Sequence, residues 1–279
     1  MFGLTDRSWL WIAATFYLAA FVLGTAALRR ERSSTGAVYL IIAIGFLCQN
    51  IGLYIRGLAV GGCPLGNTFE IFQFTAWSAM VLYLVIGPAF RLSLLGYFTS
   101  MLAATLTAGS LAIPAWDATR RVGIFGGNAW IEFHAALALF SYGVFALLAL
   151  TSIMFLLRNH SLKHKNLSGS FAFLPAIRDL DLIGLRLLGA GVVLMTAALA
   201  VGSVWWLRHP ETVNLSKLLT TVAIWAAYGV VLSLRITGRL IAQRLSWACV
   251  VLFVLALLSL GPVNSSRNPL PTAGLEATP

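Results

Sequence analysis

Apolar residues along this chain fall in runs of about twenty, the length that crosses a bilayer as a helix, and polar residues gather in the short stretches between them. Eight such runs are read as spans: Ser8–Leu28, Ala37–Ile55, Phe69–Phe90, Leu92–Ile113, Trp130–Leu157, Ile183–Leu207, Leu218–Leu234 and Leu245–Leu260. None alternates with the two-residue period and shorter length of a membrane β-strand. The pattern predicts an all-α, polytopic membrane bundle of about eight transmembrane helices.

Composition sharpens this picture. The 279 residues are 59% hydrophobic and 10% charged, where a soluble domain carries about a quarter charged residues. The formal charge of +10 needs no nucleic-acid partner, because basic residues concentrate in cytoplasmic loops and no soluble domain is left to bind one. One side collects 12 Lys and Arg: Arg29, Arg30, Arg32, Arg91, Arg158, Lys163, Lys165, Arg178, Arg186, Arg235, Arg239 and Arg244. The other has 7: Arg7, Arg56, Arg120, Arg121, Arg208, Lys217 and Arg267. The first side is therefore expected in the cytoplasm, with both termini extracytoplasmic. The first apolar run leads into Arg29-Arg30-Glu31-Arg32 rather than a cleavage site, so it reads as a span and not as a removed signal. Cys48, Cys63 and Cys249 form no CxxC or CxxCH, which argues against a dithiol relay and against a c-type cytochrome.

The polar residues inside or beside the spans are few. His134 is the single histidine within an apolar run, about one turn from its start, and an imidazole there needs a hydrogen-bond partner, a metal or a cofactor. At helical spacing it shares a face with Ala138, Ser141, Tyr142 and Phe145, which suits close packing or a planar ligand. Asn67 and Glu70 have the spacing of a capping box at the start of the third span, and Glu70, Phe74 and Trp77 lie on one face. His160 and His164 sit at i, i+4, but among Lys163, Lys165, Ser and Asn, in a loop that repels cations. Glu70, Glu132 and His134 cluster at the outer ends of their spans, with Gln49 and Asn50 the deeper exceptions. That favours an outward-facing site over the midplane path of a transporter. His209 follows Trp205-Trp206 on the same side; the two Trp suit an interfacial belt, and Arg120, Arg121 and Arg208 are hydrated loop cations or anion partners.

Pro64, Asn67, Phe69, Glu70, Phe74 and Trp77 together form a run that resembles P-x-x-N-x-[YF]-E-x-x-x-F-x-x-W of the cytochrome c assembly family, the group of CcsA-type, HemX-like and YpjD-like membrane proteins. Many members have His where this chain has Cys63. Trp130-x-x-x-His134 followed by Ser141-Tyr142 resembles the helix bearing the family's extracytoplasmic haem-ligating His. Leu180-Asp181, Arg186, Gly189, Gly191 and Gly202-Ser203-Val204-Trp205 resemble the lead-in to the family's tryptophan-rich loop. The likeness covers residues 61–263, which divides the chain into two N-terminal helices (1–60), an assembly-like domain (61–263) and a mobile tail (264–279). The tryptophan-rich loop itself has shrunk to Trp205-Trp206-Leu-Arg-His-Pro-Glu211, Thr-Val and Asn214-Leu-Ser-Lys217. Ser233 stands where the synthases carry His, and Gly261–Ser265 lacks their last His, which argues against a stand-alone cytochrome c synthase.

The resemblance implies handling of haem b at the extracytoplasmic face of a bacterial cytoplasmic membrane, with apocytochrome c and other cytochrome c assembly proteins as partners beside membrane lipid. It places His134, Trp205, Trp206, Glu70, Trp77 and Trp130 in the candidate cofactor site. Pairing His134 with His209 as axial ligands, and Arg120 and Arg121 with the propionates, is read from the residues rather than supplied by the family. The alternative is a HemX-like regulator of a haem-biosynthetic enzyme that carries no haem.

Overall fold

The computed structural model describes residues 3–29, 35–86, 93–123, 128–163, 175–208 and 215–265. These form eight α-helices: α1 (Asp6–Arg29), α2 (Thr35–Val60), α3 (Thr68–Ile86), α4 (Ser93–Ala112), α5 (Ala129–Lys163), α6 (Ile177–Arg208), α7 (Leu215–Ile236) and α8 (Ala242–Ser265). A short 3-10 helix, Pro114–Asp117, follows α4, and no strand occurs among the described residues. Each helix coincides with one expected span. Most run further than the apolar stretch because a polar residue at a helix end costs little when it finds water or a partner: α1 takes in Asp6, α2 Arg56, and α5 continues through His160. The protein is thus an all-helical, multi-pass membrane protein. Seven helices are long and apolar enough to span a membrane, and α4 is the exception.

The reason lies in the α4 surface. Thr99, Ser100, Thr107 and Ser110 lower its apolarity, yet all four are fully buried against neighbouring helices. Thr99 donates to the Leu95 carbonyl at 2.6 Å and Ser100 to the Tyr97 carbonyl at 2.7 Å, so these hydroxyls reach the core already paired within their own helix. Ser110 donates to the Thr107 carbonyl at 2.9 Å, and Gln73 of α3 donates to that carbonyl at 3.2 Å and to the Ser110 hydroxyl at 2.9 Å, while the buried Thr107 hydroxyl has no hydrogen-bond partner among the described residues.

The helices pack in two groups. Residues of α1 to α4, including Tyr17, Ile42, Met80 and Tyr97, form one apolar core. A second unites α3 and α5 to α8 around Phe145, Leu188, Met195 and Tyr228. The 35 residues of α5 extend over about 52 Å, and its stretch Ser141–Ala149 is wholly buried. Small residues allow this: a Cβ on Gly143 would lie 2.4 Å from the Ser78 Cβ and 3.0 Å from the Ala79 backbone nitrogen, the close backbone approach by which membrane helices associate. Apolar residues remain exposed elsewhere in rows suited to lipid, such as Leu40, Leu47, Tyr54 and Leu58 on α2. His164 and residues 266–279 of the expected tail lie outside the described residues, while the tail's first two residues, 264 and 265, belong to α8.

Candidate functional site

The start of α1, the end of α2, the starts of α3 and α5, the 3-10 helix and the end of α6 meet at one end of the bundle. Two arrangements of polar side chains are built there. The first centres on Arg56, which is fully buried near the end of α2. A guanidinium removed from water must be paired on all sides, and this one is. Its Nε donates to Glu70 Oε1 at 2.7 Å and its Nη1 to Asp6 Oδ2 at 3.0 Å; Nη2 donates to Asp117 Oδ1. Arg7 reaches the other Asp117 oxygen at 2.7 Å, and Arg120 reaches Asp6 Oδ2 at 3.1 Å. Three arginines thus balance three carboxylates. The Arg56 and Arg7 guanidiniums also lie 5.1 and 5.4 Å from the centroid of the buried Phe69 ring.

Local structure aims these groups. Asn67 caps α3 by accepting from the Glu70 N–H at 2.9 Å, and its amide donates to Asp117 Oδ1 at 3.2 Å and the Thr119 carbonyl at 3.1 Å. Glu70 Oε2 accepts from the Gly66 N–H at 2.5 Å. The capping pair expected of Asn67 and Glu70 is present, shifted by one residue on the return side, and both Glu70 oxygens are already engaged. Burial pushes the Asp117 carboxyl up, but Arg56 and Arg7 together outweigh this and hold it below its usual range. The half-buried Cys63 thiol is pushed up to about 11, by burial first and then by Glu132 and Glu70, so it stays protonated and unreactive near neutral pH.

The second arrangement joins α5 to α6. His134 Nδ1 lies 2.7 Å from the Ala198 carbonyl oxygen, and Trp130 Nε1 donates to the Val201 carbonyl at 3.1 Å. The imidazole stands edge-on to Trp206, with ring centroids 5.9 Å apart and an interplanar angle of 85°. No hydrogen bond from His134 Nε2 to another described residue occurs. Trp205 is half-buried beside Trp206, and Arg208 is exposed at the end of α6. His209, the expected second ligand, lies outside the described residues.

The candidate residues therefore separate. Glu70 and Arg120 belong to the Arg56 network, whereas His134, Trp130 and Trp206 meet between α5 and α6. Arg121 is half-buried in the segment between the 3-10 helix and α5. Trp77 is in neither arrangement: its Nε1 donates to Asn50 Oδ1 at 3.0 Å and its ring stacks on Phe46. It lines an open groove of about 470 Å³ with Tyr54, Leu58, Gly62, Pro64 and Phe74. The face below His134 offers no room for a planar ligand. Phe145 stacks on Tyr228 with centroids 3.8 Å apart, Gly191 abuts the Phe145 ring, and Ser141 and Tyr142 are buried. The face is closely packed at Ser141, Tyr142 and Phe145 and half-buried at His134 and Ala138. Sequence reasoning did not find Arg56, Asp6, Arg7 or Asp117 as a unit; the available signal was an arginine in the last turns of an apolar run, on the side of the chain that also holds Asp6, Glu70 and Asp117.

The family model described as "Cytochrome C assembly protein" matches residues 65–268. Protein HemX of Bacillus subtilis (strain 168) is 23% identical over 262 residues, 91% of each chain. Protein HemX of Brevibacillus brevis is 24% identical over 204 residues, 72% of this chain and 75% of the relative. Cytochrome c biogenesis protein CcsA of Chlamydomonas reinhardtii is 27% identical over 190 residues, 66% of this chain and 52% of the relative.

Proposed function

The chain belongs to the cytochrome c assembly protein family, and on that premise we propose that it handles haem b in cytochrome c-type biogenesis, at the extracytoplasmic face of a bacterial cytoplasmic membrane. The observation that carries this reading is the state of His134. A carbonyl oxygen can only accept, so the 2.7 Å contact with Ala198 requires the proton on Nδ1. In a neutral ring that leaves the Nε2 lone pair for a metal. When bound, haem b supplies an iron with axial positions and two anionic propionates. In this reading His134 Nε2 and His209 would hold the iron, and Trp130 and Trp206 would offer aromatic contact beside it. Arg208, exposed at the end of α6 two residues after Trp206, would be a cation for a propionate in this reading, whereas Arg120 is already bonded to Asp6. Since the face below His134 is filled, contact with the porphyrin is confined to the shallow level of His134 and Trp206.

The 12-to-7 division of basic residues supports an outward orientation for this end, where a secreted apocytochrome c would meet it. The orientation gains support from the Arg56 network, because three of those seven, Arg7, Arg56 and Arg120, serve buried or half-buried carboxylates rather than loop surface. The test is the spectrum of protein purified from haem-replete cells. A Soret band that His134→Ala weakens and added imidazole partly restores is expected. An unchanged band in a folded His134→Ala protein would make His134 a packing residue. The second reading, a HemX-like regulator without haem, draws on α7, which exposes Leu215, Leu219, Val222 and Val230 and so leaves a face open to another membrane helix. Colourless wild-type protein that co-purifies with a haem-biosynthetic enzyme would favour it.

A further inference from the structure

Gly202 and the Ala198 carbonyl sit four residues apart on α6, the spacing at which an α-helix pairs carbonyl and N–H. The His134 ring lies directly over that step. A Cβ placed on Gly202 would fall 2.6 Å from His134 Cε1, 2.8 Å from its Nδ1 and 3.1 Å from Trp206 Cζ2. No real Cβ tolerates the first two distances, so any side chain at 202 drives the imidazole off the Ala198 carbonyl. Trp206 flanks the same position, with its ring edge-on to the imidazole and centroids 5.9 Å apart. Four residues before His134 on the same helix, Trp130 is bonded to Val201, which fixes the rise of α5 along α6 at this level. The ring is thus seated on α6 with Gly202 beneath it and Trp206 beside it, and the bond to the Ala198 carbonyl keeps Nδ1 as the protonated nitrogen.

We infer that Gly202 is a positioning residue: it admits the His134 ring to the Ala198 carbonyl and thereby sets the tautomer in which Nε2, and not Nδ1, is the nitrogen available to a metal. This rests on the proposed haem reading for its purpose, but the tautomer itself does not. Imidazole ligands to metals almost always have their second nitrogen fixed by such a donor bond, and removing that support costs about 10- to 100-fold in metal affinity. The inference predicts a loss of that size for Gly202→Ala with His134 itself intact. Gly189→Ala, on the same helix with nothing within 4 Å of the added methyl, should cost nothing.

The experiment uses full-length protein in detergent, labelled with ¹⁵N at histidine rings, with His134→Ala to assign the His134 signals. In haem-free wild type, the His134 ring should show a protonated Nδ1 and an unprotonated Nε2 at a pH where the ring is neutral. In Gly202→Ala it should become a mixture of tautomers, with haem affinity, measured by titration at the Soret band, down about 10- to 100-fold; Gly189→Ala should match wild type in both. A wild-type ring protonated at Nε2 overturns the inference even if Gly202→Ala fails to fold. So does a folded Gly202→Ala protein with the wild-type tautomer and affinity. Wild type with the expected tautomer but no affinity for haem would leave the Gly202 assignment standing and overturn the haem reading instead.

Discussion

Replacing Arg56 by Met removes the one cation that touches all three buried carboxylates. The side chains have similar length, so the apolar contacts of the stem largely persist. What changes is charge: Asp6, Glu70 and Asp117 then share only Arg7 and Arg120, and neither of those has a hydrogen bond to Glu70. The Glu70 carboxylate would keep only the Gly66 N–H of its own helix cap among the donors described above. Breaking a buried pair by deleting one partner costs about 3–5 kcal/mol, because the remaining charge stays desolvated. For a chain of this size that corresponds to a fall in unfolding midpoint of roughly 10 °C. The protein carries its own reporters, since Cys48 and Cys249 are buried and react with a thiol-specific dye only on unfolding, so the midpoint can be read in detergent. Glu70→Gln should also destabilise, because it leaves the network with an excess positive charge. The double variant restores the balance, and the two losses should fail to add by about 1–3 kcal/mol. A midpoint shift below about 2 °C for Arg56→Met, near 1 kcal/mol on that scale, or strict additivity in the cycle, would show that solvent or lipid headgroups already screen the cluster.

Other outcomes follow from the same geometry. Asp117 has a depressed folded-state value, so its contribution is fully present above the ordinary carboxylate range and is lost as pH falls from there through that lower value; acid unfolding curves of Asp117→Asn should lack part of that decline. Cys63 should label slowly at neutral pH, with a rate that climbs as pH approaches about 11; fast labelling at pH 7 would show a more open loop. For topology, a Cys replacing exposed Arg208 should react with an impermeant reagent in intact cells and one replacing exposed Arg239 should not, and the reverse would invert the orientation. Gly143→Ala forces a methyl to within 2.4 Å of the Ser78 Cβ and should cost about 1–3 kcal/mol through overpacking, measured by the same thiol assay.

The helices were legible because a bilayer imposes length and apolarity on each segment independently of the others. Every expected span is a helix, and α4 differs only in apolarity. The end of the bundle was less legible, because its polar residues act in pairs that sequence distance conceals. Glu70 read correctly as part of a helix cap, a local interaction three residues long, but its bond to Arg56 and the meeting of Arg56 with Asp117 depend on how three helices and a loop come together. The filled face below His134 was hidden for a related reason. Small residues on one helix signal close approach, yet only the partner helices decide whether a side chain or a ligand occupies the space, and here Tyr228 of α7 does.

The Arg56 network also imposes an order on assembly. Its carboxylates lie 50 residues before, 14 residues after and 61 residues after the arginine in the chain. During synthesis from the N-terminus, α2 enters the bilayer with only Asp6 to answer its guanidinium. Glu70 arrives with the first turn of α3, and the last acceptor waits until α4 has been inserted and the chain has turned back. Until then Arg56 must stay in contact with water or headgroups, so α2 remains shallow. The network is complete only once α1, α2, the start of α3 and the 3-10 turn are together, and a nascent chain that stalls before Asp117 leaves Arg56 one carboxylate short.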